Sequence, residues 1–266
     1  MMKGPCQFVI LLTCAVVASA AAGQELLNSP LGVVVIPKKP IKPPPELRRL
    51  LPRGIAIRIL AETRLAPDGE TLVVYDRHPG TPEPYAHVAF VRSEKVLKDY
   101  ALDQLIEYGE GFNAMCFSSF HARGDQEAVA IAFRGTGDGA GSLFAVLTAD
   151  EMSYQVVFLR RVSQGRLKIF EGETPRLELW SAADDLSPTT ALAADNKTPI
   201  VHLMSVVWGR HRYQVETYEW REGKFVRVSK WKTKKFYHPA RMAARPLVLV
   251  KQAPQASPGP AEDRNR

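Results

Sequence analysis

Cys116, His121 and Asp125 have the side-chain types of a nucleophile, a base and a group that orients the base. Cys116 lies between Met115 and Phe117, and a lone thiol in such an apolar context is typical of a small core residue. Because side chains alternate along a strand, Cys116 and His121 would point to opposite faces of one. The sequence therefore favours a packing role for Cys116, and we expect no catalytic residue in this set.

The glycine-rich stretch at residues 135–141 is the second segment whose residue types suggest chemistry. Such loops hold phosphates when their N–H groups converge at the N-terminus of a helix. Here Ser142 begins an alternation typical of a strand instead, and no Gly-Lys-Ser/Thr follows. The stretch offers one carboxylate, Asp138, whereas Ca²⁺ takes about six to eight oxygen ligands. We interpret it as a connection between strands, and expect neither a cofactor nor a metal.

The histidines and acidic pairs show no spacing that defines a site. The acidic pairs Asp184–Asp185 and Glu216–Glu219 have the types of a general acid and base, but such neighbours are usually solvated. Neither His-x-x-x-His nor Cys-x-x-Cys, the spacings of metal ligands, occurs. The six histidines are His78, His87, His121, His202, His211 and His238. We expect no catalytic, cofactor-binding or metal-binding residue among these groups.

Aromatic and basic residues are interleaved in the C-terminal third of the chain, where they could stack bases or sugars. The aromatic residues are Trp180, Trp208, Tyr213, Tyr218, Trp220, Phe225, Trp231, Phe236 and Tyr237, and the basic residues are Arg210, Arg212, Lys230, Lys232, Lys234 and Lys235. The other interpretation is the packed core of a hairpin with a lysine-protected edge. Strict alternation places Phe225, Ser229 and Trp231 on one face, which favours packing.

The elements that must position these residues are strands, because the dominant hydrophobic period is two. Short β-branched or aromatic runs occupy residues 71–75, 87–91, 128–133, 143–147, 154–159, 166–170, 176–180, 202–207, 213–220 and 225–231. Turns are indicated by Glu222-Gly223 and by Gly165. The pattern predicts a mainly β fold. It is an antiparallel meander of about 10–12 short strands, forming a partial propeller or curled sheet with at most one short helix.

Residues 93–108 fit two structures. Ser93 is a candidate N-cap, apolar residues follow at helical spacing and Gly109 would end a helix. A hairpin with strands at 88–92 and 96–102 and a turn at 93–95 also fits. Comparison with two later strand–loop–strand units, whose first strands start near residues 128 and 176, favours the hairpin, with any helix confined to about 102–108.

Three segments resemble the strands of secreted bacterial FG-GAP/VCBS-type proteins, which are similar to integrin propellers. The segments are residues 126–133, 141–147 and 213–226, and the last combines an aromatic-rich strand, an acidic-glycine turn and an outgoing Phe-Val strand. The resemblance covers roughly residues 55–235 and implies propeller blades. The calcium loop of that family is missing, since Asp138-Gly139 keeps two of its positions, so its metal site is not carried over.

The first 22 residues have the pattern of an export signal. Lys3 precedes an apolar run at residues 8–17, and small residues then allow cleavage after Ala20 or Ala22. The run is too short for a membrane span of about 20 residues. Lipidation at Cys14 is the alternative form of the signal. We expect a secreted or periplasmic protein in which Cys116 is the remaining cysteine and no transmembrane segment follows the signal.

Composition places the net charge of +7 outside the expected β domain at residues 54–238. Residues 54–229 hold 19 Lys and Arg against 24 Asp and Glu. The basic residues concentrate in a proline-rich linker at 23–53 and in residues 230–266. We expect the tail from residue 239 to 266 to be disordered. This distribution argues against specific nucleic-acid binding by the folded part, which requires a basic folded face.

These observations favour an exported, non-enzymatic β-sheet domain that binds an envelope protein, a polymer or a surface. A hydrolase acting on an envelope glycan or peptide, with dispersed catalytic residues, is the alternative. A third hypothesis is binding of anionic polymers by the basic flanks at residues 37–53 and 230–266.

Overall fold

The computed structural model describes residues 33–35, 40–63, 70–78, 85–102, 112–123, 126–135, 141–149, 154–186 and 209–251. Its strands are β1 (Val34–Val35), β2 (Ala56–Thr63), β3 (Glu70–Arg77), β4 (Tyr85–Arg92), β5 (Lys95–Ala101), β6 (Phe112–Arg123), β7 (Gln126–Gly135), β8 (Gly141–Ala149), β9 (Tyr154–Ser163), β10 (Arg166–Glu171), β11 (Arg176–Leu186), β12 (His211–Arg221), β13 (Lys224–Lys232) and β14 (Leu247–Lys251). Two short helices, α1 (Pro45–Leu50) and α2 (Pro239–Ala243), complete the described elements. Neither helix is long or apolar enough to cross a membrane.

The strands form three sheets. The first sheet has the order β2-β3-β4-β5, the middle sheet β1-β6-β7-β8-β9 and the third sheet β13-β12-β11-β10-β14. Every pairing is antiparallel except that of β14, which runs parallel to β10. The prediction of a mainly β, antiparallel meander is confirmed.

The middle sheet is buried on both faces, as its sequence shows most clearly in β7. Val129, Ile131 and Phe133 pack towards the first sheet, in a cluster with residues such as Val88 and Phe90. The alternate positions are the alanines at 128, 130 and 132, which pack towards Leu167 and Leu177 of the third sheet. Burial on both faces explains why β7 and β8 are apolar at nearly every position.

Each outer sheet is partly covered by one of the short helices. Leu47 and Leu51, within and just after α1, pack on Ile57 and Tyr75 of the first sheet. Met242 of α2 packs on the third sheet beside Trp180 and Tyr213. The described part is therefore a stack of three sheets with a helix on each outer face.

Local backbone conformation agrees with the predicted turns. Glu222 and Gly223 both have positive φ, 49° and 79°, as the two-residue connection of the β12–β13 hairpin requires. Ser93 and Glu94 also have positive φ and join β4 to β5. Residues 93–101 thus form the second half of a hairpin, the alternative that the sequence comparison favoured. The helix considered at about 102–108 lies almost wholly outside the described residues.

The C-terminal region differs from the expectation of a disordered tail from residue 239. His238 caps α2 by accepting a hydrogen bond from the Ala240 N–H, and Pro239 occupies the first helical turn. The apolar run of β14 then pairs with β10, where Leu167 N–H donates to the carbonyl of Pro246. Tertiary contacts stabilise these elements, which are too short to have been predicted from local pattern. With α2, the described residues contain two short helices, whereas at most one was expected.

Candidate functional site

Cys116 lies on β6 and is buried between the middle and third sheets. Burial raises the pKa of its thiol to about 12, although a hydrogen bond with the backbone of Leu247 opposes the shift. The thiolate is the reactive form of cysteine, so a thiol with this pKa is a weak nucleophile at neutral pH. The packing role predicted for Cys116 agrees with these surroundings.

His121 is engaged elsewhere. Its Nδ1 lies 2.8 Å from Oε1 of Glu171 on β10, which also accepts from the His121 backbone N–H. Burial opposes ionisation of Glu171, but the bonds from His121 outweigh it and lower the pKa of this carboxyl. Five residues of strand separate His121 from Cys116, about 16 Å at the usual rise. The two side chains do not form a nucleophile–base pair, and Asp125 lies outside the described residues.

The other histidines and the glycine-rich loop provide no metal centre within the described residues. No group of three or more His, Cys, Asp or Glu side chains there could hold a metal ion. His211 Nδ1 lies 3.0 Å from the carbonyl of Ala183, and His238 caps α2. The centre of the glycine-rich loop, with Asp138, and the strand predicted at 202–207 are outside the described ranges.

A polar cluster that the sequence analysis missed lies on the outer face of the first sheet. Tyr75 donates a hydrogen bond to Oδ2 of Asp99 over 2.5 Å, and His87 Nδ1 lies 3.1 Å from Oδ1 of the same carboxylate. The Tyr75 hydroxyl is 3.2 Å from His87 Nδ1, and the two rings stack with centroids 4.9 Å apart. The cross-strand register of Tyr75 with His87 is the signal that could have found it.

The electrostatics of this cluster follow from its burial. Burial and the bond to Asp99 raise the pKa of the Tyr75 hydroxyl, which stays protonated. Burial opposes ionisation of Asp99, but the hydrogen bonds from His87 and Tyr75 outweigh it and lower the pKa of this carboxyl. The Asp99 side chain is 32% exposed and the other two are buried. The arrangement fixes the histidine ring but brings no described nucleophile to it.

The most exposed aromatic surface lies on the outer face of the third sheet. We call this surface the aromatic face, and its residues are Lys168, Phe170, Arg176, Glu178, Trp180 and Trp231. Trp231 is 46% exposed, the highest value among the large hydrophobic side chains of the described residues. Its ring meets the Trp180 ring edge-to-face, with centroids 6.0 Å apart. Trp180 is itself buried, so Trp231 packs on a ring that the sheet holds in place.

A β-bulge creates this exposure. The pairing of β12 with β13 skips Val228, which has no partner residue and shifts the alternation of β13. Phe225 consequently packs inwards against Phe158 of the middle sheet, while Trp231 lies outwards beside Trp180. The expectation that Phe225 and Trp231 share one face is wrong, because strict alternation does not hold across a bulge.

Charged groups of both signs border the aromatic rings. Lys168 Nζ lies 4.2 Å from the centroid of the Trp180 ring, and the Arg176 guanidinium 4.4 Å from that of Phe170. Glu178 is between them, 3.9 Å from Lys168 and 3.5 Å from Arg176. Burial lowers the pKa of Lys168, and the charge of Glu178 opposes that shift. The face therefore offers the exposed indole of Trp231 and, beside Trp180 and Phe170, hydrogen-bond donors and acceptors.

A separate apolar cleft of about 320 Å³ opens between β6 and β14. Its described lining consists of Val33, Met115, Cys116, Ala244, Arg245, Pro246, Leu247, Val248 and Leu249. This lining contains no histidine and no carboxylate, so Cys116 has neither a base nor an orienting acid in the cleft.

Comparisons of the chain with protein-family models, with curated protein sequences and with solved structures found no match. The fold and the sites described above therefore carry the functional argument.

Proposed function

We propose that the chain is an exported, non-catalytic binding module and that its aromatic face binds an envelope polysaccharide. The observation that carries the proposal is the 46% exposure of Trp231 on a sheet, next to Trp180. Burying such a ring against water is favourable, and a large exposed aromatic supported by a sheet is a preorganised contact surface. The export pattern at residues 1–22 agrees with an envelope ligand.

The chemistry around the indole suits a sugar. A pyranose ring presents C–H groups that pack on an aromatic ring, and hydroxyls that both donate and accept hydrogen bonds. Lys168 and Arg176 supply donors and Glu178 supplies acceptors on the same face, beside the Trp180 and Phe170 rings. A few placed polar groups beside an apolar surface are what orients a small ligand unit.

Two observations favour a polysaccharide over a nucleic acid. Glu178 lies between the two cations of the face, and Glu219, which pairs across the strands with Arg176, adds a second carboxylate. Carboxylates repel phosphates, whereas nucleic-acid sites are usually strongly basic. The sugar hydroxyls of a polysaccharide have no such conflict.

The test is affinity electrophoresis of the mature protein in gels containing dextran, polygalacturonate or a single-stranded DNA oligonucleotide. We expect one of the two polysaccharides to retard the protein, and Trp231→Ala to weaken that binding by about tenfold, or about 1.4 kcal/mol. Val228→Ala is the matched control, because Val228 is an exposed apolar residue of the same strand. It should leave the retardation unchanged.

The result can contradict the proposal in two ways. Equal retardation of the Trp231→Ala variant would show that the aromatic face is not the binding surface. Retardation by the oligonucleotide alone, lost with Trp231→Ala and steeply weakened by salt, would replace the polysaccharide by a nucleic acid.

A further inference from the structure

The edge of β14 presents backbone groups that its own sheet does not use. Leu167 N–H donates to the Pro246 carbonyl, so Pro246 faces β10 across the parallel ladder. Alternate residues of a parallel strand direct their N–H and C=O groups to opposite sides. The N–H and C=O of Val248 therefore point to β10, whereas those of Leu247 and Leu249 point the other way, towards β6. The hydrogen bond between Cys116 and the backbone of Leu247 agrees with this direction.

The backbone groups available for pairing on this edge are the N–H and C=O of Leu249. Leu247 is next to Cys116, but no described residue pairs with the N–H and C=O of Leu249. On the opposite wall, β1 covers β6 at two positions, with Val34 opposite Phe117 and Val35 opposite Cys116. The apolar cleft lies between these walls and includes Leu249 in its lining. An unpaired strand edge beside an apolar cleft has the two features that strand addition uses.

Charge indicates what kind of segment fits. Arg245 is the charged residue of the described lining, and its side chain is exposed. Lys251, at the far end of β14, is also exposed and basic, with Glu171 of β10 as its cross-strand neighbour. No carboxylate lies in the described lining to neutralise Arg245. A second copy of the chain would bring another Arg245 and another Lys251 to the same edge, so charge complementarity favours a different, acidic partner.

We propose that this cleft binds an extended segment of a partner protein, added as a strand to the free edge of β14. Its backbone pairs with Leu249, its alternate apolar side chains enter the cleft beside Met115 and Cys116, and a carboxylate of the segment pairs with Arg245. The site is distinct from the aromatic face and independent of the function proposed for that face. The chain would then connect a polymer to a protein.

The probe is a dye-labelled octapeptide of alternating leucine and threonine with one glutamate at its C-terminal end, and binding is followed by fluorescence anisotropy. Two control peptides have the same length: one ends in lysine, and one is N-methylated at alternate residues so that it cannot pair as a strand. We expect the glutamate peptide to bind at least tenfold more tightly than either control. Binding should also slow hydrogen exchange of the Leu249 amide.

Protein variants test the predicted ion pair and the space in the cleft separately. Arg245→Glu should weaken binding of the glutamate peptide by at least tenfold and strengthen binding of the lysine peptide. Arg241→Glu, an exposed arginine of α2 outside the cleft, is its control. Ala244→Trp should fill the cleft and abolish binding, whereas Ala240→Trp places the same side chain at an exposed position outside it. Circular dichroism of each variant establishes that it is folded.

Four results would overturn the proposal. Equal binding of the N-methylated peptide would exclude strand addition, and equal binding by Arg245→Glu would exclude the predicted ion pair. Sedimentation that shows a dimer dissociated by Ala244→Trp would identify a second copy as the occupant. Failure of all three peptides to bind would also refute it, and none of these results bears on polysaccharide binding through Trp231.

Discussion

At the scale of single residues, the polar cluster of the first sheet depends on ionisation. Asp99 accepts hydrogen bonds from both Tyr75 and His87, and its pKa is lowered in the folded protein. A carboxyl whose pKa is lower when folded than when unfolded stabilises the fold above its unfolded pKa. That contribution is lost as the pH falls from about 4 through the folded pKa.

Asp99→Asn should therefore lower the free energy of unfolding at pH 7 but not in acid. Hydrogen bonds to a charged group contribute about 1.5–3 kcal/mol, and the partial exposure of Asp99 reduces this, so we expect a loss of about 1 kcal/mol. Urea unfolding of both proteins at a series of pH values from 7 down to 2 measures it. Glu94→Gln, at an exposed position in the turn of the same hairpin, is the control. A difference that does not shrink between pH 4 and pH 2 would show that geometry, not ionisation, is responsible.

Which residues of the aromatic face are exposed could not be predicted from the sequence. The sequence showed that aromatic and basic side chains are interleaved there, and both a binding surface and a packed core fitted. Because of the register shift at Val228, each interpretation holds for one part of the strand: Phe225 is in the core and Trp231 is exposed. A bulge inserts a single unpaired residue, and nothing in the local pattern of β13 fixes its position.

At the scale of elements, the connection between the middle and third sheets is a tight turn. Gln164 has a positive φ of 47°, and Gly165 N–H is 3.3 Å from the hydroxyl oxygen of Ser142. A Cβ atom at Gly165 would lie 2.2 Å from Val162 Cγ2, 3.0 Å from Phe144 Cε2 and 3.0 Å from the Trp180 carbonyl oxygen. Glycine is required there because the two sheets approach each other closely.

Gly165→Ala should destabilise the protein by about 2–3 kcal/mol, since overpacking a core position costs about 1–3 kcal/mol and the Trp180 backbone cannot easily move. Gly223→Ala is the matched control. Gly223 has a positive φ but open space around it, so the methyl group adds backbone strain of about 1 kcal/mol and no clash. Thermal unfolding of both variants gives the order. A loss at Gly223 equal to or larger than that at Gly165 would contradict the close approach.

Sequence pattern predicted the hairpins but not α2 and β14. Turns at Glu222-Gly223 and Gly165 could be found because each requires glycine, Gly223 for its positive φ and Gly165 for the close approach of neighbouring atoms, and period-two runs identified the strands around them. A helix of five residues and a five-residue strand carry too little local signal. Their stability comes from Met242 against Trp180 and from pairing of β14 with β10, contacts between residues far apart in sequence.

At the scale of the whole molecule, the basic C-terminal region belongs in part to the fold. Residues 230–251 hold seven Lys and Arg and no Asp or Glu, and they form the end of β13, α2 and β14. The separation of an acidic β domain from basic flanks, inferred from the sequence, therefore changes at this end. Positive charge lies on the third sheet and beside the apolar cleft, where it influences the choice of partner.

The stack of three sheets also determines how the molecule unfolds. Because the middle sheet is buried on both faces, loss of either outer sheet exposes one of its apolar faces to water. We expect the sheets to unfold together. Three of the four tryptophans, Trp180, Trp220 and Trp231, lie on strands of the third sheet. The fluorescence of these three thus reports on the third sheet, whereas Val88 packs between the first and middle sheets.

Val88→Ala should shift the unfolding transitions followed by tryptophan fluorescence and by far-ultraviolet circular dichroism equally. The fully buried valine loses two methyl groups, which we expect to cost about 2 kcal/mol. If the stack is cooperative, the urea midpoint falls by the same amount in tryptophan fluorescence and in far-ultraviolet circular dichroism. Lys95→Ala, at an exposed position of the first sheet, should change the free energy of unfolding from either signal by no more than about 0.5 kcal/mol. A fluorescence midpoint that stays in place while the dichroism transition broadens or divides would show that the first sheet unfolds by itself, and that burial of the middle sheet does not couple its two neighbours.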